Sequence, residues 1–191
     1  MEHLENKLNA SIIEAMRSAE ITNEAFEFFW ETNSPFSQWH RCSFHSKLLF
    51  PVAGFDEELS FSSAEQFMMV HKALLFNDVE TAKKIMMTRN VREQKSFGRQ
   101  VSAFNAAEWD RAKVMVVHEG NKSKFQQNLD LHRVLLATKG KTLVEAAPDD
   151  TVWGIGLLRT DPRAQKRETW LGTNFLGHVL TALRIELTGT Y

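Results

Sequence analysis

Two carboxylates stand where an acid could act on a sugar or a base. Glu65 lies in SAEQFMMVHKA, at the start of a segment with helical spacing, and Lys72 follows seven residues later. Seven steps of about 100° return to within roughly 20° of the same face, so an acid and an ammonium project together about 10 Å apart. That span suits a ribose carrying a phosphate. The competing reading is structural. Ser62-Ser63-Ala64-Glu65 has capping-box spacing, which would give Glu65 to the helix start and leave Lys72 on a solvated face. Asp150 lies in PDDTVWGIG, three residues before Trp153. Beside flexible glycines this pair can edge a pocket, with the indole as a stacking platform. Pro-Asp-Asp is equally ordinary turn chemistry, and Trp153 can be core.

Other groups could complete a site. Arg99 follows Gly98 in FGRQV, and a planar guanidinium suits a phosphate or a surface carboxylate. Trp109 falls at helical spacing, which fits core as well as ligand contact. Asn174 in GTNFLG can cap a helix or present its amide to a base or sugar. His40, Cys42 and His45 are close in sequence but lack a fourth ligand of suitable spacing, so a surface loop is the simpler reading. No phosphate-cradling glycine loop and no HExxH occurs, and the WGIG stretch follows no clear strand. Cys42 reads as a buried thiol rather than a nucleophile. Neither a metal nor a cofactor is expected.

The elements that must hold these groups are mostly helical. At 191 residues one domain is the default, and 43% hydrophobic with 25% charged residues excludes a disordered chain. A net charge of −1 gives no global pull toward nucleic acid or acidic membranes. One cysteine excludes a disulfide framework. No apolar run reaches 18 residues, so no spanning helix is expected. The start, MEHLENKLNASIIEAM, lacks the basic opening and apolar core of a secretory signal, and the expected compartment is a reducing cytosol (cytoplasmic). Fourteen Phe and five Trp against one Tyr suggest stacking surfaces as well as core.

Periodicity predicts a helix over 4–20 and a strand over 26–30, with Pro35 forcing a turn or extended segment. A strand pair over 44–50 and 58–61 surrounds a turn at Gly54-Phe55-Asp56. A capped helix follows from Ser62, and a second covers 79–87. Asn105 to Glu108 repeats the cap signal ahead of Trp109, Ala112 and Val116. Gly120-Asn121 interrupts, and a helix resumes over 124–137. A short strand over 143–146, a loop over 148–156 and an amphipathic helix over 175–187 complete the chain. The expected fold is mainly α: a single compact multihelical domain with a small β element near the N-terminus.

Taken in order, FFWETNSPFSQW, SFSSAEQFMMVHKALLF, FGRQV, Trp109, KFQQN, LLAT, LVEAAPDDTVWGIGL and LGTNFLGHVLTALR resemble the NADAR superfamily, also called YbiA-like. The specific part is the ordered set of AEQFM…KA, PDDTVWGIG and GTNFLG. The resemblance covers roughly residues 26–187, so 1–24 is expected to be an N-terminal helical extension and 25–191 the NADAR/YbiA-like domain. The chain departs from the family pattern at Gln38, where Asn is usual, and at Trp39, where Phe or Tyr is usual.

The resemblance implies a multihelical fold and hydrolysis of an N-glycosidic bond. One branch acts on phosphoribosyl-amino-pyrimidine intermediates of riboflavin synthesis, and another removes ADP-ribose from guanine bases. It implies Glu65 and Asp150 as catalytic carboxylates, with Lys72, Arg99, Trp109, Trp153 and Asn174 binding substrate. The implied partner is a small phosphoribosyl or ADP-ribose substrate, with nucleic acid possible as its carrier. A strand would need a basic path, for which RTDPRAQKR at 159–167 is the candidate. A binding module that recognises ADP-ribose without catalysis is the third reading.

Overall fold

The computed structural model describes residues 24–188. In chain order the elements are β1 (Ala25–Phe29), β2 (Phe44–Lys47), β3 (Glu58–Phe61), α1 (Ala64–Leu75), α2 (Val79–Met87), α3 (Val91–Gly98), α4 (Ala106–Gln127), α5 (Leu129–Ala137), β4 (Lys141–Glu145) and α6 (Phe175–Thr188). Two short 3-10 turns, Pro162–Gln165 and Arg167–Thr169, precede α6. The mainly helical class with a few short strands is as expected. The helix expected over 4–20 lies outside the described residues, as does almost all of the expected 1–24 extension.

The described residues fall into two compact units, a central one of 38–132 and a terminal one made of 24–37 with 133–188. In the central unit α1 is the buried core helix, with ten of its twelve residues buried. A helix apolar on most sides must be covered on most sides, and α2, α3, α4 and β3 pack on it. β2 and β3 pair antiparallel, Phe44 opposite Phe61. The Phe61 ring meets Phe67 of α1 at 5.0 Å between centroids, edge to face. Such a pair adds about 0.5–1.5 kcal/mol beyond the area it buries, and it pins the hairpin to the helix.

Several details differ from expectation, among them the helix expected over 124–137, which is broken at Asn128, the C-cap of α4. A helix covers Val91–Gly98 where none is expected; VREQKSFG is too polar to show an apolar stripe, and Asn90 caps it by accepting from the amide of Arg92 at 3.0 Å. Gly120-Asn121 does not interrupt α4. A Cβ at position 120 would stand 2.6 Å from Cδ1 of Phe67, so the glycine is where α4 crosses α1 closely. The cap of α1 is shifted by one residue. Ser63 is the N-cap and accepts from the amide of Gln66 at 3.0 Å, while Gln66 Oε1 accepts from the amide of Ser62 at 2.8 Å. Gln66 is thus the residue that bonds back to the helix start, one position beyond the expected Glu65.

In the terminal unit β1 and β4 run parallel, Ala25 opposite Lys141 and Phe29 opposite Glu145. Leu143, Val144, Ile155 and Leu157 are buried, and Phe26, Phe28 and Trp170 close over Val144, Ile155 and Leu157. α6 packs on β4. The amide of Leu143 donates to Thr181 Oγ1 at 3.0 Å, which fixes the register of helix against strand. Glu24 receives a two-pronged ion pair from Arg167 and also holds Thr142, tying the entry of β1 to the turn before α6. Among the described residues no helix is long and apolar enough to cross a membrane.

Candidate functional site

In the central unit, Glu65 is the second residue of α1 and only 2% exposed. Its amide donates to the carbonyl of Gln38 at 2.9 Å, so the segment before β2 holds the helix start in place. A carboxylate is favoured at this end, where the helix dipole presents positive charge. Gln38 is itself buried, and its Oε1 accepts from Asn121 Nδ2 of α4 at 2.7 Å. Asn121 Oδ1 is buried without a hydrogen-bond partner among the described residues. Burial lowers the effective dielectric, which strengthens the field of the Glu65 carboxylate on any charge that develops beside it.

Lys72, two turns along the same helix, is half-buried. Its ammonium donates to the carbonyl of Gly98 at the end of α3 at 2.8 Å. It lies 4.3 Å from the ring centre of Phe104 and 6.0 Å from that of Trp109. Cations are favoured at a helix C-terminus and over aromatic faces. Burial pushes the Lys72 pKa below the usual lysine range, the like charge of Arg99 pushes the same way, and Glu65 pulls it back up. These couplings put Glu65, Lys72 and Arg99 in one electrostatic neighbourhood. Arg99 is the C-cap of α3 and is exposed to solvent.

The terminal unit brings together Asp150, Trp153 and Asn174. Asp150 Oδ1 accepts from the amides of Val152 at 2.9 Å and Trp153 at 2.7 Å, so the turn expected from Pro-Asp-Asp exists. The other carboxylate oxygen takes no part in those bonds. Trp153 is half-buried and meets Phe175 at 6.3 Å, edge to face. Asn174 is fully buried with φ of +52°, in the left-handed region that Asn tolerates. Its Oδ1 accepts from the amide of Glu145 at 2.9 Å, and its Nδ2 donates to the carbonyl of Leu143 at 3.0 Å. Both ends of the amide therefore hold β4 against the start of α6.

Gln38, Asn121 and Phe104 are not among the residues that sequence reasoning picks out. Gln38 is at a departure from the family pattern, and the other two carry no local signal. Lys124, with a fully buried side chain, reads from sequence only as part of a helix; burial lowers its pKa to about 8. Burial raises the pKa of the Cys42 thiol, which fits an unreactive group better than a nucleophile. Among the described residues no three of His, Cys, Asp and Glu gather as a metal site.

An N-glycosidase of Acanthamoeba polyphaga mimivirus is 44% identical over 151 residues, covering 79% of this chain and 86% of that protein. A chloroplastic riboflavin biosynthesis protein of Zea mays, PYRR, is 35% identical over 122 residues, 64% of this chain but 16% of that much longer protein. The NMR structure of YbiA from Escherichia coli superposes with a TM-score of 0.65 at 23% identity, over 88% of each chain, and shares the fold. The NADAR domain pattern matches residues 28–188, most of the chain. With that match and the fold it shares with YbiA, this chain belongs to the NADAR domain family.

Proposed function

We propose that this chain is a hydrolase that cleaves the N-glycosidic bond of a ribose-phosphate nucleotide derivative, such as an early intermediate of riboflavin synthesis. The observation that carries the reading is the buried Glu65 carboxylate at the first turn of α1, on the same helix as an ammonium set between Gly98, Phe104 and Trp109. The names of the mimivirus and maize relatives support the reaction and the substrate class.

As the bond between the anomeric carbon and the base nitrogen breaks, positive charge grows on the sugar and negative charge on the base. Glu65 stabilises the cation and orients the water that attacks it. The water oxygen bonds to the anomeric carbon, and the proton it loses passes to the Glu65 carboxylate. The leaving nitrogen gains a proton, and the family resemblance implies Asp150 as the acid that supplies it. Lys72 and Arg99 hold phosphate oxygens. Trp109 and Trp153 pack on the substrate's flat parts. Asn174 acts at one remove, by fixing the corner from which the WGIG loop hangs. A reducing cytosol suits the single thiol.

A small substrate is favoured over a nucleic acid strand by the state of the 159–167 stretch. Arg163 is paired with Asp161 at 2.8 Å, and Arg167 with Glu24, so two of its cations are already neutralised. The test is a side-by-side assay on the purified protein. Early riboflavin intermediates and an ADP-ribosylated guanine substrate are each offered, and release of ribose phosphate or ADP-ribose is measured. Faster release from the riboflavin intermediates supports the reading. Release from the guanine substrate alone moves the function to reversal of ADP-ribosylation, and release from neither leaves a binding module.

A further inference from the structure

Asn121 is a fully buried polar residue in the second half of α4, and only one end of its side-chain amide is engaged. Its Nδ2 donates to the carbonyl of Val117, one turn back, at 2.8 Å and to Oε1 of Gln38 at 2.7 Å. A carbonyl can only accept, so the nitrogen must face Val117 and the flipped amide is excluded. Oδ1 is then buried with no hydrogen-bond partner among the described residues. An unmet buried acceptor costs about 1–3 kcal/mol. An apolar side chain of the same size would serve packing better, so stability alone does not account for an amide here.

What the amide holds is Gln38. That residue is buried, its Nε2 lies 3.9 Å from the sulfur of Met68, and its main-chain carbonyl accepts from the amide of Glu65 at 2.9 Å. Glu65 and Met68 are three residues apart on α1 and share one face. Gln38 therefore runs along the face of α1 that carries Glu65, bonded to α4 through its side chain and to α1 through its backbone. Gly120, beside Asn121, is where α4 crosses α1 at Phe67, so the brace sits next to a close approach of the two helices. Gln38 is also a departure from the family pattern. The usual Asn is shorter by one methylene, about 1.5 Å, which would carry the bond to Asn121 beyond hydrogen-bond reach.

We propose that Asn121 is a positioning residue for the bond cleavage assigned to Glu65, acting through Gln38 to fix the first turn of α1 against α4. The inference rests on that reading of Glu65 and requires no contact between Asn121 and the substrate. A catalytic group displaced by ~1 Å can lose about 10²-fold in rate. The brace acts at the Glu65 end of α1, two turns from Lys72, so its loss should lower kcat and spare KM.

Gln38→Met keeps the length and loses the acceptor, and Asn121→Leu keeps the bulk and loses both donors. Steady-state and single-turnover kinetics of the full chain, on whichever N-glycoside the wild type hydrolyses, test the inference alongside thermal melts. The expected result is a kcat about 10- to 100-fold lower in each variant with KM within about twofold of wild type. The double variant should be no slower than the slower single one, because both substitutions remove the same bond. In a Glu65→Gln background, Gln38→Met should lower the residual rate no further. A wild-type kcat in either folded variant, a raised KM in place of a lowered kcat, losses that multiply in the double variant, or a further fall in the Glu65→Gln background overturns the inference. Failure of both variants to fold overturns it too, since the pair would then be scaffold alone. Wild-type cleavage by Glu65→Gln removes the reading on which the inference rests. A slow Glu65→Gln beside wild-type rates in the other two variants overturns the inference and leaves that reading standing.

Discussion

The amide of Glu65 donates to the carbonyl of Gln38 at 2.9 Å, and this single bond joins the first turn of α1 to the segment that leads into β2. The cap of the helix is made by Ser63 and Gln66. A buried carboxylate on a position fixed through its backbone suits the catalytic role proposed for Glu65.

Lys72→Gln tests the anion site. The glutamine keeps much of the length and can still donate to the carbonyl of Gly98, but it lacks the charge. The expected outcome is a KM raised about 10- to 100-fold for a phosphorylated substrate, from the ~1.5–3 kcal/mol of a charge-assisted contact. The rise should shrink as salt increases, since screening already weakens the wild-type interaction. Steady-state kinetics at two ionic strengths measure both.

Asp150→Asn and Asn174→Ala should separate chemistry from scaffolding. The asparagine amide oxygen can still accept from Val152 and Trp153, so the first variant should melt within a few degrees of wild type and lose turnover about 10²-fold or more. The second leaves the amide of Glu145 and the carbonyl of Leu143 without partners near a buried strand. A stability loss of about 2–4 kcal/mol is expected from two such groups, read from the denaturant midpoint. Its KM should stay near the wild-type value under conditions where it is folded.

Stability should fall on the acid side because of two buried histidines. His71 Nε2 accepts from the amide of Leu49 at 3.1 Å, so Nδ1 must be the donor to the carbonyl of Phe67. A proton added at Nε2 would face an N–H and destroy that bond. Burial lowers the pKa of His71 to about 4, and burial with the charge of Arg167 does the same to His178. Unfolded histidines titrate near 6.5, so the unfolded chain binds more protons between pH 6.5 and about 4. The contribution is complete above 6.5 and is lost as pH falls through that window. The loss is roughly 3 kcal/mol for each ring, since every tenfold drop in proton affinity on folding corresponds to ~1.4 kcal/mol. Thermal melts from pH 7.5 to 4 should show this limb, and His71→Gln should make it shallower.

Legibility in the sequence follows the range of the interactions. α1 and α6 are readable because apolar spacing and end signals act within a few residues. The strand pair 44–47 and 58–61 is readable from its turn. α3 escapes detection because its polar sequence is held by the Asn90 cap and by the contact of Gly98 with Met69. The continuity of α4 through Gly120 depends on the Phe67 ring of another helix, which periodicity does not reveal. The acid and ammonium at 65 and 72 are visible as a shared helix face. That Phe104 covers Lys72, and that Asn174 is consumed by β4, depend on contacts 31 or more residues away in sequence.

The most direct measurement is the single-turnover rate of bond cleavage by Glu65→Gln on whichever N-glycoside the wild type hydrolyses. Shape is kept and the negative charge is removed. The expected rate is about 10²–10⁴-fold below wild type, with substrate affinity nearly unchanged and the fold retained by circular dichroism. Cleavage at the wild-type rate would contradict the account, since the sugar cation would then be stabilised by some other group.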